Sequence, residues 1–256
     1  MIFIVVLVGL IAILFIFRKK DVDRNISEFP LKWREILLKE VSFYKKLNTL
    51  DRSIFEERVQ LFLKNKKITG IQTEITDEDC IFIASGAIIP LFRIGEFYYP
   101  RLNEILVYPE HFNTNYDLKG EDRDVLGLVG AHGIMNGTMI LSQKALRQGF
   151  RNAKDGRNVV IHEFIHLIDG ADSSMDGLPE VLLEHQYTIP FMKIVKEEID
   201  NIHQGKSDIN PYGGTSDTEF FAVVSELFFE NPRKLEKDHP ELFSILKKLF
   251  KVNENY

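Results

Sequence analysis

Two histidines and a glutamate stand within five residues, His162-Glu163-Phe164-Ile165-His166. Residues four apart lie one helical turn from each other, so on a helix both imidazoles face one point and can share one metal ion. Glu163 falls close to the same face, where its carboxylate can accept a proton from water that the metal polarises. This is the H-E-x-x-H arrangement that holds zinc and supplies a general base in metallopeptidases. With 7 histidines in 256 residues, the chance of meeting the pattern anywhere is roughly one or two in a hundred. The flanking residues Val159, Val160, Ile161, Leu167 and Ile168 are apolar. They carry the motif into a buried setting, where a carboxylate is costly unless it is paired or close to a cation. The plain alternative is a core helix with internally satisfied histidines and Glu163 facing solvent.

The motif needs a helix, and the sequence marks both of its ends: Asn158 is a suitable N-cap and Gly170 a suitable terminator. Two histidines leave a catalytic zinc one protein ligand short. No third histidine stands nearby, since His185 lies nineteen residues beyond His166, so a carboxylate from a later helix is expected. Glu219 and Glu226 sit two turns apart on one face of such a helix, and spacing leaves both open. Ser216-Asp217-Thr218-Glu219 also reads as a capping box, in which Glu219 only satisfies a helix start. Asp169 is placed to orient a histidine rather than to complete the coordination. Asp172 and Asp176 are outside candidates in a turn.

The remaining elements are read from periodicity. Residues 31–62 show helical spacing around Trp33, Ile36, Leu37 and Val41, then Phe55, Val59, Leu61 and Phe62, which predicts two helices with a break near 48–52. Residues 80–92 form an apolar stretch that is helix or strand, with Cys80 a small buried hydrophobe. Residues 105–108 read as a strand. Residues 125–135 and 138–141 flank Asn136-Gly137, a pair suited to a two-residue hairpin turn. Such a hairpin just before the motif helix offers an edge strand for an extended substrate peptide, or is simply structural. His132 within it reads as an ordinary loop or strand residue. Residues 180–203 predict a helix partly broken by Pro190, and 204–215 a loop. Residues 219–230 predict a helix ended by Asn231-Pro232, followed by a packing helix around Phe243, Leu246 and Leu249. The Phe220-Phe221 and Phe228-Phe229 pairs read as core.

A chain 45% hydrophobic and 27% charged suits one sizeable domain. Its net charge of −6 gives no sign of a nucleic-acid surface, and one cysteine excludes an internal disulfide framework and a Cys-rich zinc site. Residues 2–17 carry no polar side chain, and Arg18-Lys19-Lys20 follow. As a helix, residues 1–17 reach roughly 25 Å, the lower limit for spanning a bilayer. Positive charge downstream favours holding that side in the cytoplasm. The order is the reverse of a cleaved signal peptide. The division expected is a transmembrane anchor at 1–17, a linker at 18–30 and a metallopeptidase domain at 31–256. The domain is then cytoplasmic at the inner membrane; an uncleaved anchor that exports it is the alternative.

Taken with Asp169, Gly177-x-Pro179, Tyr212, Glu219-Phe220-Phe221-Ala222 and Ser225-Glu226-x-Phe228-Phe229, the motif resembles the Mlc titration factor A family of zinc-dependent peptidases. The likeness extends over most of residues 30–250. The family is similar in its catalytic core to the anthrax lethal factor metallopeptidase. The resemblance implies an α+β, zincin-like domain with a small mixed sheet beside helices. It also implies Zn2+ held by His162, His166 and Glu219, Glu163 as general base, and Tyr212 directed at the oxyanion. A peptide or protein is the implied substrate. A second implication is a binding protein that sequesters a transcriptional regulator, an Mlc-like repressor, with proteolysis secondary or absent. The run at 2–17 departs from the soluble members.

Overall fold

In the computed structural model the described residues are 28–95, 99–110, 127–129, 137–152, 155–172 and 174–252. The N-terminal third is helical: α1 (Leu31–Glu40), α2 (Ser42–Lys46) and α3 (Thr49–Asn65). Three helices thus form where the periodicity predicts two. Val41 and Leu47 adopt extended backbone and interrupt the run, and Asn48 starts α3 by accepting the Asp51 amide at 2.9 Å. Glu56 of α3 ties the three together, accepting two hydrogen bonds from Arg34 and one from Tyr44.

After β1 (Lys67–Gly70), the apolar stretch left undecided by periodicity is helical, α4 (Asp77–Ile88), opened by a Thr76–Asp79 capping box. Asp79 is fully buried, and Arg147 donates to both of its oxygens at 2.8 and 2.9 Å. Arg147 belongs to α5 (Gln143–Arg151), so the pair fixes α4 against α5. Cys80 is half-buried and its thiol is pushed up to about 11, mainly by burial, which leaves it protonated.

The sheet holds β1, β2 (Glu104–Tyr108), β3 (Gly127–Val129) and β4 (Thr138–Ser142) in the order β1-β2-β4-β3. β1, β2 and β4 run parallel, and β3 is antiparallel at the edge of the sheet among the described residues. It is the small mixed sheet expected of the α+β class. β3 and β4 pair antiparallel, with Val129 opposite Met139, and the turn expected at Asn136-Gly137 lies partly outside the described residues. Gly137 has another task. Its φ is +81°, its carbonyl accepts the Asn103 amide at 2.8 Å, and a Cβ there would stand 2.7 Å from the Arg101 carbonyl oxygen. Glycine is what lets β4 enter the sheet so close to β2. Asn136 and His132 lie outside the described residues.

The C-terminal half packs α6 (Val159–Asp169), α7 (Thr188–His203), α8 (Asp217–Glu230), α9 (Pro232–Asp238) and α10 (Pro240–Leu249). Residues 180–187 are turns and a short 3-10 segment rather than helix. Pro190 falls in the first turn of α7, where its missing N–H has no intrahelical partner to lose, so it breaks nothing. Every residue of α8 from Phe220 to Phe229 is buried. Phe221 and Phe228 stack on Phe250, so the phenylalanine pairs are core. No helix among the described residues is long and apolar enough to cross a membrane; the anchor expected at 1–17, and most of the linker at 18–30, lie outside them.

Candidate metal centre

The motif helix α6 begins and ends where its caps place it. Asn158 accepts the amides of Val160 and Ile161 at 3.2 Å, and Gly170 closes the helix. Its apolar residues Val160, Ile161, Phe164, Ile165 and Ile168 are buried, so the remaining face carries the histidines. The His162 and His166 rings meet edge to face at 4.7 Å. Against them lies the first turn of α8, opened by Ser216, whose hydroxyl accepts the Glu219 amide at 3.2 Å. The helix start therefore holds, and it leaves the Glu219 side chain free to reach across. Glu219 Oε2 stands 3.0 Å from His162 Nε2 and 3.5 Å from His166 Nε2.

The two glutamates that spacing could not separate occupy opposite sides of one ring. Glu219 faces His162 Nε2, while Glu226 Oε1 stands 2.7 Å from His162 Nδ1. The second oxygen of Glu226 accepts the Asn158 amide, so the carboxylate that fixes the imidazole also joins α8 to the start of α6. Asp169 makes no hydrogen bond to a histidine, although the His166 charge acts on its carboxyl. It accepts the Gly177 amide at 2.9 Å, and its other oxygen and His166 Nδ1 are both buried without a hydrogen-bond partner. Asp172 and Asp176 accept bonds within the 172–178 turn and stay apart from the histidines. His185 is exposed on a 3-10 segment.

Electrostatics follow from burial and contact. Burial opposes charge on His162, but hydrogen bonds to Glu219 and Glu226 outweigh it and push the imidazole up to about 10. The Glu219 carboxyl, although burial pushes it up, is held well below its ordinary value by hydrogen bonds to both histidines. Glu163, 5% exposed, is raised chiefly by burial, with the two imidazoles opposing. Tyr212 sits on the 3-10 turn Pro211–Gly214, its ring 6.0 Å from that of His162. Burial, then the charge and hydrogen bonding of Glu219, push its phenol up to about 12.

The donor set fits a metal ion. One ligand atom each from His162, His166 and Glu219 lie within 4.8 Å of one another. Two imidazole nitrogens and a carboxylate oxygen are the chemistry of a catalytic zinc-type site with room for water or substrate. Two further residues belong to the surroundings in roles that the sequence reading did not assign. Glu226 in its orienting role is one. Gly127 on the edge strand is the other: a Cβ there would stand 2.5 Å from Glu163 Oε1, so the strand passes directly over that carboxylate. A glycine inside a strand pattern is the signal for such a close approach.

Comparison with known proteins agrees. The family described as glucose-regulated metallo-peptidase M90 matches residues 16–251. The uncharacterized protein slr2042 of Synechocystis sp. is 31% identical over 89% of this chain and 87% of its own. Mlc titration factor A of Pectobacterium atrosepticum is 28% identical over 74% of this chain and 75% of its own. That of Escherichia fergusonii is 27% identical over 82% of each. A donor set able to hold a metal ion and a match along nearly the whole chain lead to one assignment: the protein belongs to the M90 family of metallopeptidases, together with the Mlc titration factor A proteins.

Proposed function

We propose that this protein is a zinc-dependent peptidase in which His162, His166 and Glu219 hold the metal, Glu163 is the general base and Tyr212 stabilises the oxyanion. The observation that carries the reading is the convergence of the three donor atoms beside a buried carboxylate on the same helix. A zinc ion held there supplies Lewis acidity, which acidifies water and polarises a carbonyl. Glu163 accepts the proton of the attacking water and passes it to the leaving amine; burial, which raises its pKa, brings it closer to the range such a shuttle needs. Tyr212, with its phenol raised, remains a hydrogen-bond donor at neutral pH and is available to the carbonyl oxygen as it gains charge. Glu226 keeps His162 in the tautomer whose Nε2 is free to ligate. The edge strand β3, with Gly127 against Glu163, gives an extended peptide a backbone to pair with beside the base.

Metal content of the purified protein tests this, compared with His162→Ala and Glu219→Ala. About one zinc per chain, lost in both variants, is expected; zinc absent from carefully prepared wild type overturns the site. We further propose that residues 1–17 anchor the domain to the inner membrane with its catalytic part in the cytoplasm. Support comes from the apolar run and the Arg18-Lys19-Lys20 flank. Partition of the full chain into the soluble fraction argues against it. The name of these relatives, Mlc titration factor A, supports a second reading, in which this chain sequesters a transcriptional regulator. Recovery of the same regulator by Glu163→Gln and wild type in a pull-down is its expected outcome.

A further inference from the structure

Two stretches of chain build the metal centre and its surroundings, 158–192 and 207–232, and neither contains a lysine or arginine. The chain as a whole carries 32 such residues in 256, one in eight. The first stretch, between Arg157 and Lys193, nevertheless holds six carboxylates, and the second, between Lys206 and Arg233, holds five. Charge of one sign along the walls of a cleft concentrates ligands of the opposite sign. Arg101 does reach this side from elsewhere, with its guanidinium donating to the Gly170 carbonyl at 2.7 Å.

A cavity of about 480 Å³ lies within this region, between the 176–178 turn, α7 and the first turn of α8. Phe191 and Val195 are buried beneath it, with Leu178 and Ile199 partly buried alongside. Asp176, Asp200 and Asp217 are exposed and line it with a single lysine, Lys196. Two of its walls connect to the elements that carry the candidate metal ligands. Asp217 shares a helical turn with Glu219. The Gly177 amide is bonded to Asp169 on the motif helix. An apolar base under a mostly acidic lining suits a side chain that is aliphatic along its stem and cationic at its tip. It is less suited to a carboxylate, which meets three aspartates, or to a short apolar group, which leaves them unpaired.

We propose that this cavity is a specificity subsite for a lysine or arginine side chain of the peptide substrate. Its catalytic consequence rests on the peptidase reading, whereas preferential binding does not. The test uses the zinc-loaded full chain and matched fluorogenic peptides on an Ala-Gly background, with lysine, norleucine or glutamate at each position in turn. At one position, kcat/KM for lysine is expected to exceed that for norleucine by about tenfold, with glutamate lowest. The Asp176→Asn/Asp200→Asn variant is expected to lose that preference while still cleaving the norleucine peptide. Equal rates for lysine and norleucine at every position, or a preference that survives in the double variant, overturn the proposal. Should wild type cleave none of the peptides, the peptidase reading fails separately. The subsite is then judged by the dissociation constants of the same peptides on the zinc-loaded Glu163→Gln chain: about tenfold tighter lysine binding supports it, and equal affinities overturn it.

Discussion

His162 stands between two carboxylates that do different things, and the difference separates their expected mutant behaviour. Glu219 faces the nitrogen available to a metal, and Glu226 faces the other. Glu226→Gln is expected to keep the fold and lower zinc affinity about 10- to 100-fold, read by competition with a chelating dye, because the ligand then loses its orienting partner. Glu163→Gln is expected to keep zinc and lower kcat by about 10²- to 10⁴-fold, the ordinary contribution of a positioned base; full turnover in that variant ends the assignment. At this scale much was legible. The motif, its caps at Asn158 and Gly170 and the carboxylate helix all follow from spacing. The choice between Glu219 and Glu226 does not, because both lie on one helical face. Only the docking of that helix decides which carboxylate reaches which side of the ring.

The elements carry the site through close approaches that leave little slack. Gly127→Ala puts a methyl group 2.5 Å from Glu163 Oε1. It is expected to reduce kcat by at least about tenfold while leaving thermal stability within about 1 kcal/mol, since the strand lies at the edge of the sheet. Asp79 makes the contrasting case. Burial alone raises its carboxyl, but hydrogen bonds from Arg147 and Thr76 hold it below its ordinary 3.8. A depressed folded value contributes stability that is present above pH 3.8 and is lost as pH falls through the folded value. Asp79→Ala is expected to cost about 2–3 kcal/mol in urea unfolding at pH 7, since Arg147, Gln143 and Thr76 lose the buried carboxylate to which they donate. The deficit should shrink toward acid pH. Helix existence was readable here and strand partnership was not. The parallel pairing of β1, β2 and β4 joins residues far apart in sequence. Gly137, which looks like a turn residue, is spent on a close backbone approach.

For the molecule as a whole, the proposed metal centre couples ion binding to stability. A cation there would lie on the Nε2 side of His162, with Glu219; without it, a proton on the ring answers Glu219 on one side and Glu226 on the other. Its value is raised from 6.5 to about 10 by those two carboxylates against the opposing effect of burial. A raised folded value gives stability that is complete below pH 6.5 and lost as pH rises through about 10. The chelated protein should therefore lose stability across that window, while the zinc-loaded protein should not. At fixed free zinc the stabilisation on adding zinc, read as a rise in Tm, is expected to grow with pH, and it amounts to about 2.7 kcal/mol where free zinc is a hundredfold above its dissociation constant. A Tm gain independent of pH would contradict this.

Glu219 follows His162 by 57 residues, and α8 is buried along nearly its whole length. On the proposed reading, synthesis delivers both histidines roughly 3–11 s before the third donor, at about 5–20 residues per second. A nascent chain carries two imidazoles and no completed site, and the carboxylate arrives only when α8 docks against α6. On the zinc-peptidase reading proposed above, a chain interrupted before Glu219 carries two imidazoles but lacks the third donor on which turnover depends.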